Sequence, residues 1–556
     1  MKTPVASYRP ASIGHRCCVG IALLAVWFAF SVPAGAATVT INGAQTYQII
    51  DGFGVNANHR SWTNNELQPV LDAMIDQAGM TLFRVLYDRT DWEATNDNSD
   101  PDVMNWTYYN TVYSAPDFEK MWGMIAYLNQ RGISNELALN FQGIGPSWMV
   151  NSSTYVLKPG YEDEWAEMIA SLLVYGRNTL HLQFGLVGPD NEPDNTPDPI
   201  QGVQVVNSAQ YITMLHQLAL KLDTNGLSDI RFIAPDLGYS STNWLAQIMN
   251  DPLIMTKLAH FGLHSYLAGG DLAGGSSSAD VYDFLRQSAY PDRNFWMTEF
   301  NVWCSNCENC AGGATGWAYF RGTAEYLLAH LANGASAGLV WEGYDSFYMI
   351  HNCWSYWGLF AVDNINAVPK TYTPRKNFYT VAQISKFVRP GARRIAVNGS
   401  TSPLVLLAFY HPGTGQLALT GVNTGSRTAT LSGTLTNLPS VSSLDLYYTS
   451  STTNLAFKTN VPVANGVFTA TVPADCVFTF SGFSLKIAVS LLFTNQAENI
   501  VLSWTSSQTN CVLEGTTNLN PPFWSRVTNT PQQVGGQQSV LLLPSGQRKF
   551  FRVRQP

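Results

Sequence analysis

Apolar residues along the chain follow two different spacings. Between residues 51 and 388, short runs of apolar residues are separated by longer stretches whose apolar positions recur at helical spacing. The clearest helical stretch begins at Thr63-x-x-Glu66, which has the form of a capping box, and is closed by Gly79. Its apolar residues lie on one face: Leu67, Val70, Leu71, Met74, Ile75 and Ala78.

Eight predicted strands alternate with helices in this region. The strands are predicted at 52–56, 80–87, 136–141, 182–186, 231–234, 262–266, 295–300 and 337–341. Further helices are predicted at 118–131, 161–178, 242–260 with a kink near Pro252, 280–287, 316–333 and 379–387, and Ser208 caps another. This alternation predicts an α/β fold, a parallel (β/α)8 TIM barrel whose site lies on the loops after the strands.

The rest of the mature chain has β patterning. Residues 37–50 alternate as one strand before the barrel, which is predicted at 51–388. Residues 389–482 form short alternating strands separated by Gly, Ser, Thr and Asn turns, which predicts a β-sandwich. A small C-terminal β module is predicted at 483–556, with strands at 500–504, 539–543 and 550–553.

Residues 1–36 have the pattern of a secretory signal peptide. Lys2, Arg9 and Arg16 supply the positive end, residues 17–32 the apolar segment, and Ala34-Gly-Ala36 the cleavage site. We therefore expect a secreted protein, extracellular or periplasmic, without stable membrane insertion after signal removal. A retained anchor is the alternative.

Composition narrows the class of partner. With 46% hydrophobic and 13% charged residues, the chain of 556 residues can build large cores. The net charge of −8 argues against nucleic acid or an anionic membrane as partner. Sixteen tryptophans either stack on sugar rings or fill the cores.

Six cysteines remain after the predicted signal. Three form Cys304-x-x-Cys307-x-x-Cys310, and Cys353 follows in a later loop. No fourth ligand with metal-site spacing follows nearby, and export favours disulfides over a metal. We predict that at least one of the three is oxidised, to Cys353 or within the cluster. The states of Cys476 and Cys511 stay open.

Two predicted strands lead into a glutamate. Glu192 follows the strand at 182–186 and precedes Pro193, and Glu299 lies in the strand at 295–300. Three β–α units separate them, which places both at the same rim of one barrel. Two carboxylates so placed are what cleavage of a glycosidic bond requires, although each could be an ordinary turn or surface glutamate.

The chain resembles the clan A glycoside hydrolases, and family 30 most. The matching stretches are Ile50-Asp-Gly-Phe-Gly54, Asn191-Glu192-Pro193, His264-Ser-Tyr266, Thr298-Glu299, Trp341 and Ile384-Ser-Lys-Phe-Val-Arg-Pro-Gly391. The resemblance spans roughly residues 38 to 482 and implies that the strand at 37–50 joins the β-sandwich. It implies an acid/base role for Glu192 and a nucleophile role for Glu299.

The resemblance also suggests substrate-binding residues. It implies that Asn191 binds the hydroxyl next to the reacting carbon, that Arg84 lies near the nucleophile and that Trp341 floors the sugar site. The alternatives are a turn-stabilising Asn191, a structural ion pair for Arg84 and a Trp341 that only packs. His264 and Tyr266 share one strand face, with a core histidine as the alternative.

Three further residues, Asp88, Trp148 and Asp236, occupy positions where subsite residues would lie, because each follows a predicted strand. Glu342 is the rival carboxylate, but strand alternation points it away from the site if Trp341 faces it. The Cys-rich loop 301–313 departs from familiar family members and leaves the sugar and linkage open.

These observations predict a retaining β-glycoside hydrolase that acts on an oligo- or polysaccharide by a two-glutamate double displacement. No cofactor and no metal are implied, because two carboxylates suffice. We expect them ~5–5.5 Å apart, against ~6.5–9.5 Å in an inverting enzyme. Arg84 and Tyr266 should keep Glu299 ionised, and Glu192 should have a raised pKa. The alternatives are a non-catalytic carbohydrate-binding or cell-surface protein on a decayed barrel, and another clan A family.

Overall fold

The structure is a computed structural model of the chain. It describes residues 36–195, 201–239, 242–308, 310–349, 351–484, 492–496, 499–505, 512–519, 524–534, 537–543 and 549–554. The predicted signal peptide, apart from its last position, and Cys511 lie outside the described residues.

The first described strand is β1 (Ala36–Ile49), and the eight strands after it close into a parallel barrel. In barrel order these are β2 (Gly52–Asn58), β3 (Leu82–Tyr87), β4 (Leu137–Phe141), β5 (Leu186–Gly188), β6 (Arg231–Ile233), β7 (Leu258–Ser265), β8 (Phe295–Phe300) and β9 (Ala337–Val340). The ring closes where β9 pairs with β2. The predicted (β/α)8 barrel is confirmed.

Helices surround the barrel. They are α1 (Gln68–Asp72), α2 (Trp106–Tyr113), α3 (Pro116–Gln130), α4 (Glu162–Val174), α5 (Ser208–Thr224), α6 (Thr242–Met249), α7 (Pro252–Lys257), α8 (Ser278–Gln287), α9 (Ser305–Glu308), α10 (Trp317–Ala332) and α11 (Lys376–Ser385). Single π-helical turns extend α1 over Ala73–Gln77 and α4 over Tyr175–Thr179. Their apolar faces pack on the outside of the strands and form one large core.

Two predicted helix starts were wrong. Asn64 and Asn65 adopt positive φ, so the chain turns sharply after Thr63, and α1 begins after Leu67 without a side-chain cap. The capping box expected there does not form. At α5 the cap is Asn207 rather than Ser208, because the Asn207 side chain accepts from the Gln210 amide.

The predicted bounds of two barrel strands, β7 and β5, also differ from those observed. The single helix expected at 242–260 is two helices, because Pro252 starts α7 after an Asp251 cap, and β7 begins already at Leu258. The strand expected at 182–186 lies further along, at 186–188, where Leu186 and Val187 pair with β4. Alternating apolar residues before it fill the core without joining the sheet.

A nine-stranded sheet follows the barrel and includes β1. Its order is β19–β18–β21–β16–β15–β14–β1–β17–β20. The bounds are β14 (Arg393–Ser400), β15 (Leu404–His411), β16 (Gln416–Asn423), β17 (Ala429–Thr436), β18 (Ser443–Ser450), β19 (Ala456–Pro462), β20 (Val467–Val472) and β21 (Cys476–Phe483). Residues from both ends of the sheet share one core, so it folds over itself in the manner of a sandwich. Only the β1–β17 pair is parallel.

The sheet also packs on the barrel. Phe409, Val422 and Val477 belong to the barrel core, and the Gln383 side chain of α11 donates to Thr449 at 3.1 Å. Two hairpins complete the barrel rim: β10 (Ser346–Tyr348) with β11 (Cys353–Ser355), and β12 (Phe360–Val362) with β13 (Tyr372–Pro374).

The C-terminal residues form two small antiparallel sheets. One contains β22 (Leu492–Gln496), β23 (Asn499–Thr505), β26 (Gln532–Val534) and β27 (Gln537–Leu542); the other contains β24 (Val512–Thr516), β25 (Ser525–Arg526) and β28 (Phe550–Arg554). Leu502, Trp504, Leu513 and Val540 form their shared core. Among the described residues, no helix is both long and apolar enough to cross a membrane.

Candidate active site

Two buried glutamates meet at the carboxyl ends of the barrel strands. Glu192 lies four residues beyond β5, and Glu299 lies within β8. Each side chain has a carboxylate oxygen in a cluster, shared with His264, whose atoms lie within 4.8 Å of one another. Glu192 has a φ of 45°, which is uncommon for a residue with a side chain and is typical of functional sites.

Arg84 of β3 lies beneath the two glutamates and is 1% exposed. One terminal nitrogen donates to Asn56 at 2.6 Å and to Glu299 at 2.7 Å, and the other donates to Asn191 and Asp236 at 2.6 Å each. A buried guanidinium needs such partners, because an unpaired charge in the core is costly. Arg84 therefore fixes Glu299 and Asn191 relative to one another.

His264 of β7 lies between the carboxylates. Its Nδ1 is 2.7 Å from Glu192 Oε1 and 3.5 Å from Glu299 Oε2, and its Nε2 is 3.3 Å from Asp236 Oδ1. Burial lowers the pKa of His264, but the charges of Glu299 and Asp236 outweigh it and raise the pKa to about 10. His264 is therefore an imidazolium at neutral pH, and its Nδ1–H donates to Glu192 Oε1.

The two glutamates differ in their hydrogen bonds. Burial raises the pKa of Glu192, but the hydrogen bond and charge of His264 offset this, and with an Asn195 hydrogen bond at 2.9 Å they hold the pKa below its ordinary value. Burial raises the pKa of Glu299 by more than His264 and Arg84 lower it. The sequence predicted the opposite order for the pair. It was wrong because His264 donates to Glu192, a contact that sequence spacing does not reveal.

Tyr266 and Trp341 line the cleft above the glutamates. The Tyr266 hydroxyl donates to Glu299 Oε2 at 2.9 Å. Trp341, 7% exposed, follows β9 and packs against Tyr348 with ring centroids 5.7 Å apart. The cleft has a volume of about 390 Å³ and contains both glutamates in its wall. Its size suits one or a few sugar rings.

Five residues predicted to bind substrate do not line this cleft. Arg84, Asn191 and His264 lie buried beneath it, each 1% exposed, and Asp88 and Trp148 lie elsewhere. Asp88 is fully buried and accepts from Arg60 at 2.6 Å and from the Met349 amide at 2.8 Å, so it anchors the loop after β10. Trp148 donates its indole N–H to the Glu93 carbonyl at 2.8 Å. Both follow barrel strands as predicted, but their side chains are used for loop packing.

Asp236 and Glu342 also lie outside the cleft wall. Asp236 is buried beneath it, where the charges of Arg84 and His264 overcome burial and hold its pKa well below the ordinary range. Glu342 accepts from Tyr348 at 2.6 Å and from Ser355 at 2.9 Å, and burial raises its pKa well above the ordinary value. Burial thus favours the protonated form of Glu342, which lies next to Trp341 and outside the cleft wall.

Sequence reasoning missed several cleft residues. Asn195, Tyr239, Trp303, Glu308 and His351 all line the cleft from loops after four different strands. Asn195 could have been found from its position three residues after Glu192, a spacing at which turn residues contact one another. The Cys-rich loop pointed to Trp303 and Glu308 only as a region.

The Cys-rich loop 301–313 contains one internal disulfide, and a second disulfide joins it to β11. Cys304 pairs with Cys307, and Cys310 pairs with Cys353 at the start of β11. The prediction that at least one cysteine of the cluster is oxidised is confirmed. Cys476 is a buried free thiol.

Comparison with known proteins agrees with this geometry. The glucuronoxylanase XynC of Bacillus subtilis (strain 168) is 24% identical over 449 residues, which cover 80% of this chain and 92% of that protein. The xylanase of glycoside hydrolase family 30 subfamily 8 from Clostridium acetobutylicum superimposes with a TM-score of 0.60 at 20% identity, covering 80% of this chain and 100% of the other.

The catalytic domain of the family 30 xylanase C from Talaromyces cellulolyticus gives a TM-score of 0.61 at 18% identity, again over 80% of this chain and 100% of the other. No protein-family model matches the chain. Barrel, paired carboxylates and relatives together support an O-glycosyl hydrolase that resembles clan A. Within that clan, the chain is most like glycoside hydrolase family 30.

Proposed function

We propose that this protein is an exported, retaining β-glycoside hydrolase that cleaves a β-linked glycan by double displacement, with Glu299 as nucleophile and Glu192 as acid/base. The carrying observation is that carboxylate oxygens of the two residues lie within 4.8 Å of one another. Oxygens this close favour the ~5–5.5 Å carboxyl separation of retaining enzymes over the ~6.5–9.5 Å separation of inverting ones.

In the first step Glu299 attacks the anomeric carbon while Glu192 protonates the departing oxygen. Arg84 and Tyr266 each donate to one oxygen of Glu299, which orients the carboxylate for attack. His264 carries the proton in the free protein and shares it with Glu192 across 2.7 Å. Transfer of that proton to Glu192 as the glycosidic oxygen acquires charge supplies the general acid.

In the second step Glu192 acts as base. It takes a proton from water, which attacks the sugar carbon and releases Glu299. The proton that Glu192 takes from water then returns to His264, which the first step left neutral, across their 2.7 Å hydrogen bond. This restores an imidazolium whose Nδ1 lies within 3.5 Å of both carboxylates. The proposal assigns Asn191, whose side-chain oxygen accepts from Arg84 at 2.6 Å, to bind the hydroxyl next to the reacting carbon.

We take β-linked xylan as the first substrate to test, because the relatives are named as xylanases. A panel of xylan, glucuronoxylan, and β-1,3-, β-1,4- and β-1,6-glucans, with product analysis, identifies the sugar and the linkage. The anomer released first, followed by NMR, decides retention. An inverted first product would refute double displacement even if both glutamates proved essential.

Glu192→Gln and Glu299→Gln should each lower kcat by about 100-fold or more while the fold survives. Azide should restore turnover to Glu192→Gly or Glu299→Gly by replacing the missing base or nucleophile. Glu342→Gln is the matched control, a third buried glutamate at the same rim, and should retain wild-type activity within about threefold, because its side chain lies outside the cleft wall and a glutamine oxygen can still accept a hydrogen bond there. Near-normal activity in either of the first two variants would remove that residue from the mechanism.

Export is part of the proposal. It rests on the signal pattern in residues 1–36 and on two disulfides, which persist in oxidising compartments. Mass spectrometry of the protein recovered outside the cytoplasm should find a mature N-terminus at Ala37. Accumulation of the full-length chain in the cytoplasm would refute it.

A further inference from the structure

The loop that follows β8 forms one wall of the cleft. It carries Trp303 and Glu308, and its Cys310 is joined to Cys353 of β11. All four residues line the cleft together with Glu299. The bridge therefore connects two rim loops, those after β8 and β9, directly beside the reacting pair.

Trp303 is 56% exposed although it lines a cleft. Its ring meets Tyr266 and Trp357 edge to face, with centroids 5.9 and 5.6 Å away. These edge contacts fix the orientation of the indole and leave much of its surface open to solvent. Tyr266 contacts Trp303 and also donates to Glu299, so only the Tyr266 side chain lies between Trp303 and the proposed nucleophile.

Glu308 places a carboxylate in the same wall. It accepts from the Trp357 indole N–H at 3.1 Å, which orients it. Within the described part of the chain its other oxygen accepts no hydrogen bond, and a ligand hydroxyl can donate to it. Among the described lining residues there are three carboxylates, those of Glu192, Glu299 and Glu308, and neither Lys nor Arg. Residues 196–200, 240–241, 309 and 350, which lie outside the described part, include neither Lys nor Arg.

We propose that Trp303 and Glu308 form a sugar-binding subsite, held by the Cys310–Cys353 bridge, that selects an uncharged sugar unit beside the reacting one. The inference rests on the proposed function and extends it to substrate selection. The apolar face of a sugar ring covers the open indole, and a sugar hydroxyl donates to Glu308 in a charge-assisted hydrogen bond. A uronic acid unit is disfavoured, because the described cleft wall presents three carboxylates and neither Lys nor Arg. The cations Arg84 and His264 lie buried beneath the wall and are already paired with carboxylates.

Kinetics on xylo-oligosaccharides test the subsite. Trp303→Ala and Glu308→Gln should each raise KM for xylohexaose by about 10-fold and leave kcat within about threefold. Turnover of β-xylosyl fluoride, whose small leaving group leaves the neighbouring subsites empty, should change by less than about threefold in both, since the subsite binds a neighbouring unit. Val103→Ala, at a site that is equally exposed and outside the cleft, is the control and should match the wild type.

Charge selection is tested with xylo-oligosaccharides that carry a methylglucuronic acid branch. The wild type should prefer the unbranched form, and Glu308→Gln should shift the ratio of kcat/KM toward the charged form by about fivefold or more. Preference of the wild type for the charged form would overturn the proposal. So would losses in both loop variants that are equal for xylohexaose and β-xylosyl fluoride, because those indicate a structural role.

Calorimetry separates failure of this inference from failure of the proposed function. Xylohexaose is titrated into Glu299→Gln, and into Glu299→Gln that also carries Trp303→Ala. Binding that depends on Trp303 would support the subsite even if the wild type hydrolysed no glycan. Equal affinity of the two variants for xylohexaose, together with wild-type hydrolysis, would overturn the subsite and leave the proposed function standing.

Discussion

We expect the free energy of unfolding to decline at alkaline pH, and removal of the His264 imidazole should abolish this decline. The native state keeps this proton to about pH 10, whereas an unperturbed histidine loses it near 6.5. Between these values the folded protein binds one proton more than the unfolded chain. Each pH unit therefore lowers the free energy of unfolding by about 1.4 kcal/mol.

The contribution is fully present below pH 6.5 and is lost as pH rises through about 10, because the folded pKa lies above the unfolded one. Over the measurable interval from pH 7 to 9 the loss amounts to about 2.7 kcal/mol. Urea unfolding at five pH values in this interval measures it. The readout is the slope of the free energy of unfolding against pH, because a loss of packing lowers this free energy equally at every pH and leaves the slope unchanged.

The comparison is best made in the Glu192→Gln background. Without that glutamine, the Glu192 carboxyl could take up the proton that His264→Asn releases and restore the slope. Glu299 and Asp236, the two largest causes of the raised pKa, remain in place. His264→Asn in this background should flatten the slope by about 1.4 kcal/mol per pH unit.

The matched control is His260→Asn. His260 lies on the same strand, stacks on Trp296 at 3.9 Å and binds Asn294, and burial lowers its pKa to about 4. It is neutral throughout the interval, so its replacement should leave the slope unchanged. Equal slopes in the His264 variant and its parent would show that His264 is not the protonated group between the carboxylates.

Arg84→Lys should lower the free energy of unfolding by about 3–5 kcal/mol and reduce kcat, because one ammonium cannot hold both carboxylate partners of the guanidinium; urea unfolding and kinetics measure this. Wild-type stability would contradict it. Cys310→Ser with Cys353→Ser should cost roughly 2–4 kcal/mol, since the bridge joins positions 43 residues apart. Thermal unfolding measures this, and the Cys304–Cys307 pair, which encloses a three-residue step, should matter far less.

Sequence patterning was sufficient for the barrel because its signals are local. Period-two apolar runs and helical faces each depend on neighbours within a few residues, so the alternation of strands and helices could be followed without a structure. The errors fell where local signals compete. Leu182 and Phe184 alternate like a strand but pack as core before β5, and 258–260 continue the apolar pattern of a helix although they pair as a strand.

The charges of the site required the structure. Each carboxylate could be placed at the rim from its own strand, but its protonation depends on groups that other strands bring close. Arg84 comes from β3, His264 from β7 and Asn195 from the loop after β5, and their contacts are long-range in sequence. The alternation of residues along a strand predicts which face a side chain occupies, but it does not predict which side chains of other strands it contacts there.

The expected order of the pKa values of Glu192 and Glu299 was wrong for this reason. The observed order constrains the mechanism. With His264 protonated, the free site holds three carboxylates, Glu192, Glu299 and Asp236, against two cations, Arg84 and His264. Asp236 has its charge fixed by both cations. The proton on His264 Nδ1 is therefore shared only with Glu192. A bound glycan has only to shift this proton across one hydrogen bond for Glu192 to become the acid. Catalysis then needs no proton from solvent in the first step, and the alkaline limb of the rate profile should follow loss of the shared proton.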